Sequence, residues 1–329
     1  MIITQTPFRI TLGGGGTDLP NFYEREGGFL VTSAINKYVY ITVNRRTIDN
    51  LLWLSYSRVE KVKEIGEIKH ELIRESLKKL DIREGVEIHS ITEISSGTGL
   101  GSSSSFTVGL LNALHALKRE HISPVTIAEE ACYIEMDILK KPIGKQDQYI
   151  AAFGGIVCLE IDRKGTVRVS PLNMHSDTVD NLERNTLLFY TGIRRDSSFV
   201  LSEQSKKCKI SNSKVTECLR TIKNIGMEIK KALEEGNSVK YGKLLHEHWK
   251  VKKEMSPKIS IGWIDGLYKK ALKNGVLGGK IIGAGGGGFL LLYCDENKPY
   301  IRKMCKEKGL IEMRFRFDFG GTKVIANFF

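Results

Sequence analysis

Three glycine-rich segments, each beside strand-like sequence, constrain the fold of this chain more than any other feature. They are PFRITLGGGGTDLP at residues 7–20, SSGTGLGSSSSF at 95–106 and GKIIGAGGGGFLLL at 279–292. A single cluster of this kind could be merely a tight turn or a bulge. Because glycine lets the backbone approach a ligand closely, three such turns in one chain favour a site that they enclose together.

The central segment has the composition of a flexible linker, but its neighbours favour a loop of defined structure. Before it, VEIHSITEI at residues 86–94 has the alternation of a strand. After it, apolar residues recur at helical spacing, namely at Phe106, Leu110, Leu111, Leu114 and Leu117. A strand, a glycine turn and a helix N terminus bring several backbone N–H groups to one point, and this arrangement attracts phosphate.

The composition is that of a globular protein with one large or two moderate domains. Of the 329 residues, 41% are hydrophobic and 27% are charged, which is ordinary for such a protein. No apolar run reaches ~18 residues and the first residues lack a signal-peptide pattern, so we expect no membrane association. Cysteines without CxxC pairs argue against zinc and disulfides and favour the cytoplasm; they are Cys132, Cys158, Cys208, Cys218, Cys294 and Cys305.

The formal net charge of +12 raises the question of a nucleic-acid partner. The densest basic runs, KKCK at 206–209 and KVKK at 250–253, lie in helical patterns near glutamates. We interpret them as solvated helix faces and expect no nucleic-acid partner, since aromatic-rich RNA-binding signatures are also lacking. An excess of positive charge suits an enzyme with polyanionic substrates. In HEHW, His246 and His248 diverge on a helix, so we interpret them as surface histidines.

Hydrophobic periodicity predicts mixed strands and helices along the chain. The predicted elements before the polar stretch at 173–184 are strands over TQTPFRITL and FLVTSAINKYVYITVNRR, a helix over 57–80, a helix from Ser123 to about Lys140 and a hairpin over 154–172. Those after it are a strand at 187–191, helices near 198–235, 238–255 and 262–274, and strands at 280–283, 288–294, 311–317 and 323–327. We place a domain boundary in the polar stretch, which gives domains at 1–176 and 177–329.

GTGLGSSSS resembles the phosphate-binding motif of the GHMP small-molecule kinases, a family that includes galactokinase, homoserine kinase and mevalonate kinase. PFRITLGGGGTD is similar to the family's N-terminal substrate motif and IIGAGGGGFLLL to its C-terminal glycine motif, in the family's order. Ser95 and Ser96 stand where prolines usually precede the central loop. The resemblance implies an α+β fold with a ribosomal-S5-domain-2-like N-terminal domain and a ferredoxin-like C-terminal domain, and it implies ATP and Mg²⁺ as cofactors.

The resemblance also implies roles for individual residues. The nucleotide phosphates would be bound by Gly97, Thr98, Gly99, Leu100, Gly101, Ser102, Ser103 and Ser104. Ser103 and Glu135 would hold Mg²⁺, although Ser103 alone could be a helix-capping serine and Glu135 could lie on an exposed face. Asp147, in PIGKQDQYIAAFGG, would be the catalytic base, with Arg9 beside it stabilising negative charge. A lone Asp in a loop is otherwise a cap or a turn former.

The acceptor implied by the resemblance is a small-molecule sugar phosphate. Its binding residues would be Arg9, Gly15, Gly16, Thr17, Asp18, Lys145, Asp147, Gly285 and Gly286. GGGGTD resembles the branch of the family that acts at the anomeric carbon, and GKQDQYIAAFGG resembles its heptose 7-phosphate kinases, with Lys145 at the acceptor's phosphate. A kinase of L-fucose, galactose or a uronic acid, a non-catalytic sensor on the same fold and a surface role for Lys145 stay open. Arg194 and Arg195 could bind an anion or lie on the surface.

Overall fold

Two β-sheets, with helices packed on them, form the architecture of a computed structural model that describes residues 1–194 and 213–329. The larger sheet contains β1 (Ile2–Gly13), β2 (Gly28–Arg45), β3 (Leu52–Ser55), β4 (Val59–Val62), β5 (Val86–Thr92), β6 (Ile156–Ile161), β7 (Val167–Pro171) and β12 (Lys323–Asn327). The smaller sheet contains β8 (Thr186–Tyr190), β9 (Val276–Ile281), β10 (Phe289–Cys294) and β11 (Ile311–Glu312).

The long strand β2 organises the larger sheet, whose order is β12-β1-β2-β5-β3-β4. It is rich in Val, Ile, Thr and Tyr, which favour extended backbone. It pairs with β1 along most of its length, with β6 through 28–33 and with β5 through 39–45. β6 turns back as β7 in the predicted hairpin. The smaller sheet is antiparallel in the order β11-β8-β10-β9, and every residue of β10 is buried.

Helices cover both sheets. They are α1 (Pro20–Glu26), α2 (Glu71–Lys79), α3 (Ser102–Leu117), α4 (Pro124–Cys132), α5 (Gln146–Phe153), α6 (Ser176–Asn185), α7 (Lys214–Glu234), α8 (Ser238–Glu254), α9 (Gly262–Leu272) and α10 (Lys298–Glu307). A 3₁₀ turn at Ile65–Glu67 precedes α2, and a π-helical stretch at Tyr133–Ile138 continues α4.

Two helices approach β1 closely because glycine lies at the contact. A Cβ at Gly109 of α3 would lie 2.6 Å from the Thr6 hydroxyl oxygen, and a Cβ at Gly226 of α7 would lie 3.0 Å from the Gly14 Cα. The Thr4 hydroxyl also donates to the Gly109 carbonyl at 2.9 Å. These contacts fix α3, which follows the central glycine segment, and α7 against the strand that carries the first glycine segment.

Most predicted strands and helices are confirmed, but the helix predicted over 57–80 is wrong in its first half. Residues 59–62 form β4, which pairs with β3, and only α2 is α-helical there. The chain also forms α1, α5, α6 and α10, which were not predicted, and β11 ends well before residue 317. The helix predicted near 198–235 begins at Lys214, where the extended Ser213 caps it, and residues 195–212 lie outside the described residues.

None of the helices described here is long and apolar enough to cross a bilayer. Of the six cysteines, the described ones are buried free thiols, namely Cys132, Cys158, Cys218, Cys294 and Cys305. Cys208 lies outside the described residues.

Candidate active site

The three glycine segments meet at one cavity of about 470 Å³. The first segment contributes Gly15 and Gly16 to its lining, the second contributes residues 96–97, 99 and 101–104, and the third contributes Gly283 and Ala284. Arg9, Asp18, Glu135 and Asp147 also line it. The structure therefore brings together most of the residues that the sequence indicated, from segments more than 260 positions apart.

The central loop has the backbone that its glycines predict. Gly97, Gly99 and Gly101 have φ angles of 78°, 86° and 81°, in the left-handed region that other residues avoid. A Cβ at Gly99 would lie 2.8 Å from the Ile282 carbonyl oxygen of the third segment, and a Cβ at Gly101 would lie 3.1 Å from Asp147 Oδ2. The loop leads into α3, whose N terminus has no side-chain cap. A helix N terminus in this state attracts anions.

Ser103, at the start of α3, forms a hydrogen-bonded pair with the buried Glu135. The Ser103 hydroxyl donates to Glu135 Oε1 at 2.7 Å, and Gln148 Nε2 donates to Oε2 at 2.7 Å. Glu135 is fully buried, and this desolvation raises the pKa of its carboxyl while the hydrogen bonds from Ser103 oppose the shift. The capping interpretation of Ser103 and the exposed position for Glu135 are therefore wrong. Glu135 lies in the π-helical stretch, a feature frequent at functional sites.

This pair fits a magnesium site. No cluster of three or more His, Cys, Asp or Glu side chains suited to a metal occurs within residues 1–194 and 213–329. Mg²⁺ needs no such cluster, because it usually takes one or two protein oxygens and completes its shell with substrate phosphates and water. The Ser103 hydroxyl and the Glu135 carboxylate can supply these protein oxygens. Ser103 belongs to the central loop, residues 97–104, which we call the phosphate loop, and Glu135 lies beside it.

Arg9 holds Asp147 on the other side of the loop. Arg9 Nε donates to Asp147 Oδ1 at 2.7 Å and Nη2 donates to Oδ2 at 2.8 Å, while Nη1 donates to the Gly99 carbonyl. The Arg9 backbone N–H donates to the Leu100 carbonyl at 3.1 Å. Asp147 lies in the first turn of α5 and not in a loop. The candidate base is thus fixed to the loop that would carry the nucleotide.

Sequence comparison agrees with this geometry. The family pattern described as GHMP kinases N terminal domain matches residues 65–155, and that described as GHMP kinases C terminal matches residues 229–307. The chain belongs to the GHMP kinase family. It is 30% identical to the D-glycero-alpha-D-manno-heptose 7-phosphate kinase of Campylobacter jejuni over 98% of this chain and 97% of that protein. It is 27% identical to the galactokinase of Pyrococcus furiosus over 90% of each chain.

Solved structures show the same fold. A D-glycero-D-manno-heptose 1-phosphate kinase from Bacteroides thetaiotaomicron superposes with a TM-score of 0.82 at 23% identity, covering 100% of both chains. A sugar kinase of Campylobacter jejuni gives 0.77 at 27% identity, covering 98% of this chain and 97% of that one. The chain is an ATP-dependent sugar kinase with the α+β fold of GHMP kinases, similar over its full length to heptose phosphate kinases.

The Asp18 carboxylate of this GHMP kinase projects from the first glycine segment into the cavity. Its Oδ1 accepts from the Gly16 N–H and its Oδ2 from the Gln146 N–H, both at 3.2 Å. Burial, and then the nearby Asp147 charge, raise the pKa of the Asp18 carboxyl. A Cβ at Gly144 would lie 2.0 Å from Asp18 Oδ2, so glycine there lets the two segments touch.

Other predicted site residues do not line the cavity. Lys145 Nζ donates to both Glu129 oxygens, at 3.0 and 3.1 Å, and to the Gly165 carbonyl at 2.8 Å. The structure therefore does not bring its ammonium group to the acceptor side. Five more predicted residues lie outside the cavity lining and contact nearby backbone or hydrogen-bond to it: Thr17, Thr98, Leu100, Gly285 and Gly286.

Thr17 shows this supporting role, since its hydroxyl bonds to the Gly14 and Phe29 carbonyls at 2.8 Å. Arg194 Nη2 donates to the Ser95 hydroxyl at 2.9 Å, so its guanidinium contacts the first residue of the central glycine segment. Arg195 lies outside the described residues.

Three basic residues that sequence reasoning missed also line the cavity: His248, Lys252 and Lys280. His248 and Lys252 were interpreted as surface residues, and this is wrong, because only 1% and 8% of their surfaces are exposed. They lie four positions apart on α8 and so share a face. Their spacing places them on one helix face, but it does not show that this face is the covered one.

Proposed function

We propose that this GHMP kinase transfers the γ-phosphoryl group of ATP to the anomeric hydroxyl of D-glycero-D-manno-heptose 7-phosphate, giving the 1,7-bisphosphate and ADP. The observation that carries the proposal is the single cavity in which the phosphate loop, Asp147 and Asp18 meet. Full-length similarity to a kinase of that name supports the choice of sugar. The product would serve the synthesis of nucleotide-activated heptose, and we propose the cytoplasm as its place of action.

At the nucleotide end, Gly97, Gly99 and residues 101–104 bind the phosphates through backbone N–H groups and the N terminus of α3, while Thr98 and Leu100 support the loop. Ser103 and Glu135 would hold Mg²⁺, which would neutralise phosphate charge. Gln148 keeps the Glu135 carboxylate oriented through its hydrogen bond to Oε2. Glu135 is fully buried, so bulk water does not reach its carboxylate, whereas the Ser103 side of the pair is open to the cavity.

At the acceptor end, Asp18 and the backbone of Gly15 and Gly16 orient the sugar hydroxyls. Asp147 accepts the proton of the anomeric hydroxyl as its oxygen bonds to the γ-phosphorus, and the bond between that phosphorus and the β–γ bridging oxygen breaks. Arg9 keeps the Asp147 carboxylate in place and lies where negative charge develops. The paired arrangement of Arg9 with Asp147 and of Ser103 with Glu135 favours a working kinase over a non-catalytic sensor.

A neutral sugar is the second candidate acceptor, because the chain is also 27% identical to a galactokinase. Turnover with Mg²⁺ and ATP, measured over D-glycero-D-manno-heptose 7-phosphate, the unphosphorylated heptose, galactose, L-fucose and glucuronate, separates the two. We expect the highest kcat/KM with the 7-phosphate, and ³¹P NMR of the product should show a new anomeric phosphate beside the retained C7 phosphate. A higher kcat/KM with a neutral sugar would refute the heptose assignment and leave the kinase assignment intact.

A further inference from the structure

One wall of the active-site cavity is basic and buried. His248 and Lys252 of α8 and Lys280 of β9 line it with 1%, 8% and 2% of their surfaces exposed. All three come from the C-terminal half of the chain and share the cavity with Arg9 of β1 and with Asp18 of the turn that follows β1. The phosphate loop and the magnesium pair do not use them.

These side chains have few partners of their own. Lys252 Nζ donates to the Gly283 carbonyl at 2.5 Å. Neither ring nitrogen of His248 makes a hydrogen bond to the described part of the chain, although both are buried. Lys280 forms no ion pair with any residue of 1–194 or 213–329, and its strongest charge interactions are repulsions from Lys252 and Arg9.

The acidic groups of the cavity are already engaged elsewhere. Asp147 pairs with Arg9, and Glu135 accepts from Ser103 and Gln148. Asp18 accepts backbone N–H groups at both oxygens, although its charge also favours the Lys252 ammonium. A buried ammonium group without a matching anion is costly, and such groups are retained where a ligand supplies the anion.

Burial lowers the pKa of both lysines, that of Lys252 to about 8 and that of Lys280 well below its ordinary value. Burial also lowers the pKa of His248 well below its ordinary value, so its ring is neutral with one N–H to donate. The wall therefore offers two lysine amines, whose charged forms an entering anion would stabilise, and one imidazole N–H to whatever enters the cavity.

We propose that Lys252, Lys280 and His248 bind the phosphomonoester group of the acceptor, an inference that rests on the proposed function. A phosphomonoester carries about −1.5 to −2 charges and three acceptor oxygens at neutral pH. A dianion favours the charged form of both lysines, and two cations with one N–H donor then match that set better than they match a carboxylate, which has one charge and two oxygens. Lys252 interacts with the charge of Asp18, which the proposed function places at the sugar hydroxyls, so we assign the wall to the acceptor. Lys145, held by Glu129, is not needed.

The test compares single variants on two acceptors that differ only in phosphate: D-glycero-D-manno-heptose 7-phosphate and the unphosphorylated heptose. In Lys280→Gln and in Lys252→Gln, KM for the 7-phosphate should rise at least about tenfold, the range for a lost charged hydrogen bond. KM for ATP and for the unphosphorylated heptose should stay within about twofold of wild type. His248→Leu should raise KM for the 7-phosphate, while His248→Asn, which keeps an N–H donor, should restore part of it.

Lys253→Gln is the matched control, since Lys253 is the next residue of α8 but pairs with Asp265 at 2.9 Å outside the cavity. It should leave both sugar KM values unchanged. Calorimetric titration of each folded variant with the 7-phosphate gives a second readout, in which affinity should fall while the unfolding temperature without ligand is kept or raised, because a desolvated charge is gone.

Two failures are distinguishable. If wild type prefers the 7-phosphate and the lysine variants keep that preference, or lose ATP affinity instead, the phosphate-site inference is overturned while the heptose assignment stands. If KM for the 7-phosphate rises only in Lys145→Gln, the phosphate is bound by Lys145 and not by the wall. If wild type does not discriminate between the two heptoses, both the heptose 7-phosphate assignment and this site fail.

Discussion

The guanidinium of Arg9 binds the carboxylate of Asp147 through two hydrogen bonds, at 2.7 and 2.8 Å, and its third nitrogen donates to the Gly99 carbonyl. Arg9 belongs to β1, Asp147 to the first turn of α5, and Gly99 to the phosphate loop. Two-point pairing of this kind fixes the orientation of a carboxylate as well as its position. The Arg9 side chain therefore holds the candidate base, Asp147, at a fixed distance from the phosphate loop.

Asp147→Asn should lower kcat by roughly 10²-fold or more, because an amide cannot accept the hydroxyl proton. The dissociation constant of ATP should stay close to wild type, since the loop contacts of Arg9 are unchanged. Stopped-flow or steady-state turnover and calorimetric ATP binding measure the two effects. Asp81→Asn, which breaks an exposed pair with Arg83, is the control and should affect neither. Near-full kcat in Asp147→Asn would exclude the base role.

Gly99→Ala should weaken ATP binding by roughly tenfold or more, because a displaced loop misplaces its N–H donors. Gly99 has a φ of 86°, and an added Cβ would lie 2.8 Å from the Ile282 carbonyl oxygen. Gly309→Ala is a close control: its φ is 79° and nothing lies within 4 Å of an added Cβ. Both variants pay the left-handed backbone strain of about 1–2 kcal/mol in unfolding free energy. Equal ATP affinity in both variants would show that the central segment acts as a linker and does not bind the nucleotide.

The parts of the fold that the sequence predicted are those with a local cause. The glycine segments, the hairpin over 154–172 and α3 each have a turn signal or a period that is visible within about 15 residues. The eight residues of α5 are too few for a clear period, so its helix was missed. In α10, Pro299 at the start and buried residues at 301, 304 and 305 were a usable signal.

The basic wall could not be found in this way, because its cause is tertiary. In KVKK, Lys252 and Lys253 look alike, yet α8 turns one to the cavity and the other to Asp265. Which face of α8 is covered depends on β9 and on the N-terminal sheet, and neither is encoded near residue 252. Lys145 was misjudged for the same reason, since its partner Glu129 is 16 positions away on α4.

Glu135→Gln should raise the unfolding temperature in the absence of metal and should weaken the dependence of stability and turnover on Mg²⁺. Burial raises the pKa of this carboxyl above its ordinary 4.5, so its ionised form opposes folding at neutral pH. The gain in unfolding temperature should therefore be present above the folded-state pKa and should vanish as the pH falls below about 4.5. Added Mg²⁺ with ADP should stabilise wild type more than the variant, and the Mg²⁺ concentration for half-maximal turnover should rise roughly tenfold or more. Equal stabilisation by Mg²⁺ in both proteins would remove Glu135 from the metal site.

The pH dependence of acceptor binding gives the last prediction. Burial, and then the Arg9 charge, lower the pKa of Lys252 to about 8, while the Asp18 charge opposes the shift. Because the ammonium group loses its proton as the pH rises through about 8, kcat/KM for the phosphorylated acceptor should fall above that pH. The acceptor's own second pKa of about 6 lies too low to produce this fall.

Stability should change in the opposite direction over the same range. The folded-state pKa of Lys252 lies below its unfolded value of 10.5, so the unfolded chain binds more protons between about 8 and 10.5 and folding is favoured as the pH rises there. His248 and Lys280 belong to the same wall as Lys252, and burial lowers the pKa of both, so the double variant Lys252→Gln/Lys280→Gln is needed to remove the alkaline fall completely. Profiles of kcat/KM from pH 6.5 to 9.5, with the phosphorylated and the unphosphorylated heptose, measure the effect. An alkaline fall of the same size with both sugars would show that the titrating group does not act on the acceptor's phosphate.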